Sequence, residues 1–409
     1  MKTLLPVIYI LLCISPNLNA QNVSYNVNSI PIGGLYNTAV GFESLKINTG
    51  NYNSAHGFQS LYSNTFGWYN TANGYQALYS NSEGYENTAS GTQALYFNST
   101  GNFNTGFGNR TLYSNTTGNF NAALGNVALL SNTTGFENVA VGASALYNNT
   151  EGFKNIAIGS RALYLNTSGN ENLAIGDRSI YSNISGGDNI AFGNFALYSN
   201  STGFRNQALG YQSLLQNATG NNNIGYGNSS LYSNIDGTDN TSIGDSSGYN
   251  SLGSRNLFLG KLSGFYETGS NKLYIGNDSN KTILYGDIAT GQILLGNPQP
   301  NGYSFKGTRT LNVLGGIIAD SVRVALSNGW ADYVFSDDYK LRSLNELSAY
   351  ISANKHLPGI PSSKEVENNG IELGALNKLL LEKVEELHLY ILQQQKEIDE
   401  LKNLVKKIK

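Results

Sequence analysis

The sequence has 409 residues, room for two or three domains. Gly supplies 47 of them, well above the usual ~7%, while charged residues make up only 13%, about half the usual share. A net charge of −3 and 11% aromatic content argue against charge-driven disorder, and the glycines follow no three-residue collagen period. An excess of Gly, Asn, Ser, Thr and Tyr instead suits a turn-rich β architecture.

The N-terminus reads as a secretory signal over residues 1–20. Lys2 supplies one charge, Leu4 to Ile14 an apolar run too short for a membrane span, and Ala20 a small residue at a cleavage site. Cleavage before Gln21 would send the protein to the cell surface or the medium. It would also remove Cys13 and Lys2, leaving no cysteine and 24 basic against 28 acidic residues, a formal charge of −4. Disulfide and thiolate chemistry are then excluded. No later segment is apolar enough for a membrane helix.

Residues 21–276 are dominated by a repeat. One glycine recurs at a 17-residue step, as in Gly125, Gly142, Gly159 and Gly176, and a second runs out of phase with it, as in Gly118, Gly135, Gly152 and Gly169. Asn stands four residues before the first glycine (Asn121, Asn138, Asn155), and a second Asn column includes Asn115, Asn132 and Asn149. Seventeen residues is too short for a helix pair or a propeller blade and fits one coil of a parallel β-solenoid: two short strands and two tight turns. Alternation in Asn138-Val139-Ala140-Val141-Gly142 puts both valines on one face and Ala140 on the other. The large pair is expected in the core, with the Ala column facing a close neighbour. The second strand carries Leu146 and Leu163 inward. That leaves Tyr147, Tyr164, Tyr181 and Tyr198 as an exposed aromatic stripe, for a subunit interface, a ligand or a surface ladder. Ice binding would want regular Thr pairs. Thr38, Thr71, Thr88 and Thr105 begin such a column, but Ala122, Val139 and Ile156 end it.

The Asn-x-Ala-x-Gly unit resembles the head repeats of trimeric autotransporter adhesins, the YadA-like head, over about residues 33–276. The resemblance implies left-handed parallel β-rolls, three chains around one axis, and attachment to surface glycans or a host or matrix surface. That family's C-terminal membrane-anchor barrel has no counterpart in this sequence.

After Gly276 the period fails. Residues 277–329 alternate as a β-rich neck, with a joint at Pro298 and Pro300 and two short strands about Gly315-Gly316. Residues 330–370 read as a small α/β module: a strand-like lead from Trp330 to Phe335, and a helix from Leu344 to Asn354 capped by Ser343 and Glu346. A turn through Pro358 and a short helix over 363–368 follow. Residues 371–409 read as a coiled coil. Its a positions are Asn377, Val384, Ile391, Ile398 and Val405, and its d positions Leu380, Leu387, Gln394, Leu401 and Ile408. β-Branched a with Leu at d favours a dimer, so the homotrimer expectation comes from the head resemblance.

Residues 311–409 resemble the tail-fibre C-terminal module of Bacteroidetes surface proteins, similar in layout to the endosialidase-type intramolecular chaperone. There a Ser-Asp pair and a Lys five residues on cut the chain. Here Ser336-Asp337 is followed by Lys340 after four residues, so the pattern is broken. The expectation is a non-enzymatic, adhesin-like fibre. The alternative is a tail-fibre protein whose C-terminal module cuts itself off. No metal or cofactor motif occurs. Nor is there a basic patch for nucleic acid: residues 21–276 hold 9 Lys and Arg against 12 Asp and Glu.

Overall fold

The computed structural model describes residues 23–25, 34–296, 305, 308–324 and 330–408. The signal segment 1–20, Cys13, Pro298 and Pro300 lie outside them. The chain divides into two compact units between Gly316 and Ile317, inside the segment read as a neck.

The first unit is a parallel β-solenoid of about sixteen coils, from β1 (Val23–Tyr25) to β16 (Lys272–Gly276). Each coil before β16 contributes one three-residue strand, such as β8 (Val139–Val141), β9 (Ile156–Ile158) and β10 (Leu173–Ile175). Equivalent residues stack in register, Ala140 on Ala157 on Ala174.

The expected second strand does not form. Its residues make a run of turns with Leu146 at φ 51°, flanked by Ser144 at φ 58°, and Glu137 ahead of the strand lies at φ 55°. A left-handed L-residue costs about 1–2 kcal/mol. The stack holds all three there through backbone N–H bonds to neighbouring coils: Leu146 to Ala162 O at 2.9 Å, Ser144 to Asn126 O at 2.9 Å, and Glu137 to Asn119 O at 3.0 Å.

The faces of the strand are also reversed from expectation. Ala140, Ala157 and Ala174 are fully buried, whereas Ile156 and Ile158 are 38% and 39% exposed. The core is one layer deep. Leu146, Leu163 and their equivalents enter from the turn side and fill it, so the facing strand position has room only for a methyl group. Near the end of the solenoid the volumes are exchanged: Gly248 and Gly264 replace Leu, and Phe258 replaces Ala. A Cβ on Gly264 would sit 2.2 Å from the Phe258 ring, so the two substitutions are one packing solution.

The Asn columns are interior hydrogen-bond ladders. Asn149 Nδ2 donates to Asn132 Oδ1 at 2.8 Å and to Gly152 O at 2.9 Å. In the other column Asn155 N–H donates to Asn138 Oδ1 at 3.0 Å, and Asn155 Nδ2 to Gly169 O at 2.8 Å. These side chains are fully buried, so each unmade bond would cost ~1–3 kcal/mol. Gly142 is required twice over: its φ is 134°, and a Cβ there would lie 2.5 Å from Gly159 O.

The solenoid ends at a lock. Tyr274 OH donates to Glu267 at 2.7 Å, and Lys272 pairs with Asp287 at 2.8 Å. There β17 (Thr282–Asp287) turns antiparallel to β16, followed by β18 (Gln292–Leu295) and β19 (Leu311–Val313). Of the two strands expected about Gly315-Gly316, only β19 forms among the described residues.

In the second unit the lead from Trp330 to Phe335 holds a 3-10 turn, Asp332–Phe335, in place of a strand. Helix α1 (Leu344–Asn354) carries the expected Ser343–Glu346 capping box. Helix α2 (Ser363–Asn369) has a second box from Ser362 and Glu365, and α3 runs from Leu373 to Ile408. One face of α3 is pinned to its own chain. Tyr390 OH donates to Arg342 O at 2.8 Å, Tyr339 OH to Glu386 at 2.5 Å, and Tyr333 OH to Glu382. Lys383 bridges Glu382 and Glu386 at 2.7 and 2.9 Å. The bond to Glu382, with burial, pushes the Tyr333 phenol up to about 12. Burial opposes the charge of Lys383, but the two carboxylates hold its amine above its ordinary value.

Candidate functional site

With the Ala column inward, the residues on either side of it form the outer face of the sheet, two per coil. From β6 (Thr105–Phe107) this face turns apolar, and it stays largely so to β16. Leu124, Val139, Val141, Ile156, Ile158, Leu173, Ile175, Ile190 and Phe192 follow one another up the stack, each exposed or half-buried. Gln207 and Thr241 are the polar interruptions beyond them. Eleven strands at ~4.8 Å make a strip about 50 Å tall and about 10 Å wide. A continuous apolar area of that size is at the top of what monomeric surfaces show. Beside it, at the position before each buried Asn, lie Glu137, Lys154, Glu171, Asp188 and Arg205. A dry centre with a charged border is the anatomy of a protein–protein interface.

The first coils present the opposite surface. In β2 (Thr38–Val40), β3 (Ser54–His56), β4 (Thr71–Asn73) and β5 (Thr88–Ser90) the outward positions are polar except for Val40. β2 to β4 are bracketed by exposed rings: Tyr36, Tyr52 and Tyr69 stack at 5.0 and 4.7 Å on one side, and Phe42, Phe58 and Tyr75 at 5.6 and 5.3 Å on the other.

The expected tyrosine stripe exists as a ladder on the turn side. Tyr147, Tyr164, Tyr181 and Tyr198 stack at 5.1, 5.2 and 5.1 Å and are half-buried, their ring faces largely covered by one another. Leu130 and Leu215 interrupt the column. Sequence reasoning missed the outer strip because it placed those large residues inside.

On α3, Leu380, Val384, Leu387, Ile391, Ile398 and Leu401 are all 45–60% exposed, on a face distinct from the pinned one. Ile398, Leu401 and Val405, with the stems of Lys402 and Lys406, line a shallow apolar groove. The structure does not pair Ser336 with Lys340: the Ser336 hydroxyl donates to Asp338 at 2.5 Å, and that bond holds the Asp338 carboxyl below its usual range. Among the described residues no cluster of three or more His, Cys, Asp or Glu could hold a metal, and no helix is long and apolar enough to cross a membrane. No protein-family model, curated protein or solved structure matched the chain, so its function has to be read from its own residues.

Proposed function

We propose that the chain is a secreted or cell-surface structural fibre, adhesin-like in its work, whose copies associate side by side. The observation that carries this reading is the outer strip from Leu124 to Phe192 and beyond, apolar in coil after coil. Burying one such side chain contributes ~1.5–3 kcal/mol, and the strip offers about two per coil. The exposed seam of α3 supplies a second apolar contact surface at the other end of the chain. Three copies around the strip would agree with the resemblance of the repeats to trimeric adhesin heads. No enzymatic step, metal or cofactor belongs to this reading.

Sedimentation equilibrium of the full chain tests it. The parent should be an oligomer. Ile156→Glu with Ile158→Glu places two charges in the strip and should weaken association at least tenfold. Thr71→Glu with Asn73→Glu, on the polar coils, should leave the mass unchanged. Leu387→Asp with Ile391→Asp reports separately on the helical seam. A monomeric parent, or an oligomer indifferent to both the strip and the seam variants, would overturn the reading.

A further inference from the structure

The coils of β2 to β5 carry a surface that the proposed self-association does not use. Thr38, Ser54, Thr71 and Thr88 form one outward column, and His56, Asn73 and Ser90 continue the other after Val40. Among the described residues no hydrogen bond engages these side chains. The turn hydroxyls behave differently: Thr65 donates to Ser82 O at 2.8 Å, Ser82 to Ser99 O at 3.0 Å, and Thr116 to Thr133 O at 3.0 Å. The outward groups therefore keep their full capacity for an outside partner. They repeat at the coil spacing of ~4.8 Å, so a ligand that uses them all must itself be periodic.

Two further features narrow the partner. The floor carries no formal charge; its border carries Glu86, exposed beside β5, and Glu43, which is paired with Lys46 at 2.6 Å. A polyanion or polycation finds no complementary row there. The bracketing rings Tyr36, Tyr52 and Tyr69, with Phe42, Phe58 and Tyr75, are each 40–50% exposed. Because they lie on one another, they present apolar edges, walls beside a chain laid along the stack. In later coils the same two positions are Glu137, Lys154 and Glu171, and Ala143, Ser160 and Asp177. Rings on both borders at once thus mark β2 to β4; at β5 the two positions are Glu86 and Thr92, and beside β6 and β7 only one border keeps rings, Phe103 and Phe120.

We propose that the outer face of β2 to β5 binds a neutral, extended, β-1,4-linked polysaccharide laid along the solenoid axis. Such a chain advances per sugar by nearly one coil spacing, so ring hydroxyls meet Thr, Ser and Asn side chains in successive coils while its apolar faces and edges lie against the aromatic borders. This site rests on the proposed function only in assuming that a second copy leaves these coils open.

Isothermal titration of the full chain with cellohexaose and chitohexaose tests it, with cellobiose and chitobiose as short controls. At least one hexasaccharide should bind, at least tenfold tighter than its disaccharide, because only the longer chain spans several coils. Thr71→Val with Thr88→Val should weaken that binding about tenfold with unchanged mass and melting temperature. Tyr52→Ser with Phe58→Ser should weaken it separately. The Ile156→Glu, Ile158→Glu chain should still bind even if its assembly is lost, which keeps failure of this site distinct from failure of the fibre reading. Absence of binding to both hexasaccharides, binding untouched by the Thr variants, or growth arrest of ice crystals in place of sugar binding would each overturn the proposal.

Discussion

The coils of β2 to β5 and those from β7 (Ala122–Leu124) onward share one interior and differ in almost everything outside it. Both stack Asn on Asn, Ala or Gly on Ala, and Leu on Leu, with the same left-handed turn residues. Asn81 Nδ2 donates to Asn64 Oδ1 at 2.7 Å in the first group, as Asn149 Nδ2 does to Asn132 Oδ1 at 2.8 Å in the second. Outside, the first group has a polar floor with aromatic rings bordering β2 to β4, and the second an apolar floor with charged residues along one border from Glu137 to Arg205. The backbone is fixed by residues that never reach solvent, so the outward positions are free to specialise along the rod. The residues that hold the coil together and those that vary on its outer face occupy separate columns of the same 17-residue unit.

If the interior is common to both regions, matched changes to it should hurt both alike. The largest effect is expected from register. Deleting residues 143–159 removes one whole period and should shorten the rod without unfolding it, as should deleting residues 75–91 in the polar group. Deleting nine residues at either place should abolish the cooperative transition in urea. Equal damage from the 17- and nine-residue deletions would break the account of the coil.

Removing one ladder amide comes next. Asn149→Ala and Asn81→Ala each strip three buried hydrogen bonds, two donated and one accepted from the next coil, a cost of about 3 kcal/mol at either site. The urea midpoint should fall by the same amount for both. A loss confined to one site would mean that the two groups do not share an interior.

The smallest effect on stability should come from converting one face into the other. Thr71→Ile with Asn73→Ile extends the apolar strip into the polar group without touching the core, so the melting temperature should move little. Association should strengthen, read as a shift of the sedimentation equilibrium toward larger species. An unchanged equilibrium would show that the strip does not drive assembly.

Much of this was legible in the sequence. The period gave the parallel solenoid. Asn and Gly at fixed phase gave the turns and ladders, and Ser343 with Glu346 the start of α1. What alternation could not decide was which strand face is inside. Val139 and Val141 were expected to be core because large apolar residues usually are. That rule fails here because Leu146 already fills a core one layer deep from the opposite wall. The left-handed Leu positions were hidden for a related reason: Leu has no intrinsic preference for φ near 50°, and only the bonds of the stacked coil put it there. The stretch Asp332–Phe335 reads as a strand by composition, but in the structure Tyr333 and Tyr339 pin the segment to α3 through Glu382 and Glu386.

The most direct test of the central claim, that the apolar floor is covered in the assembled protein while the polar floor is open, is thiol labelling of the full chain. Cys13 is the chain's single cysteine, so the parent supplies the background. Ile158→Cys and Asn73→Cys place one thiol on each floor. Under native conditions the account predicts rapid maleimide labelling at position 73 and protection at position 158, with both labelled equally fast in denaturant. Equal and rapid native labelling at the two positions would contradict it.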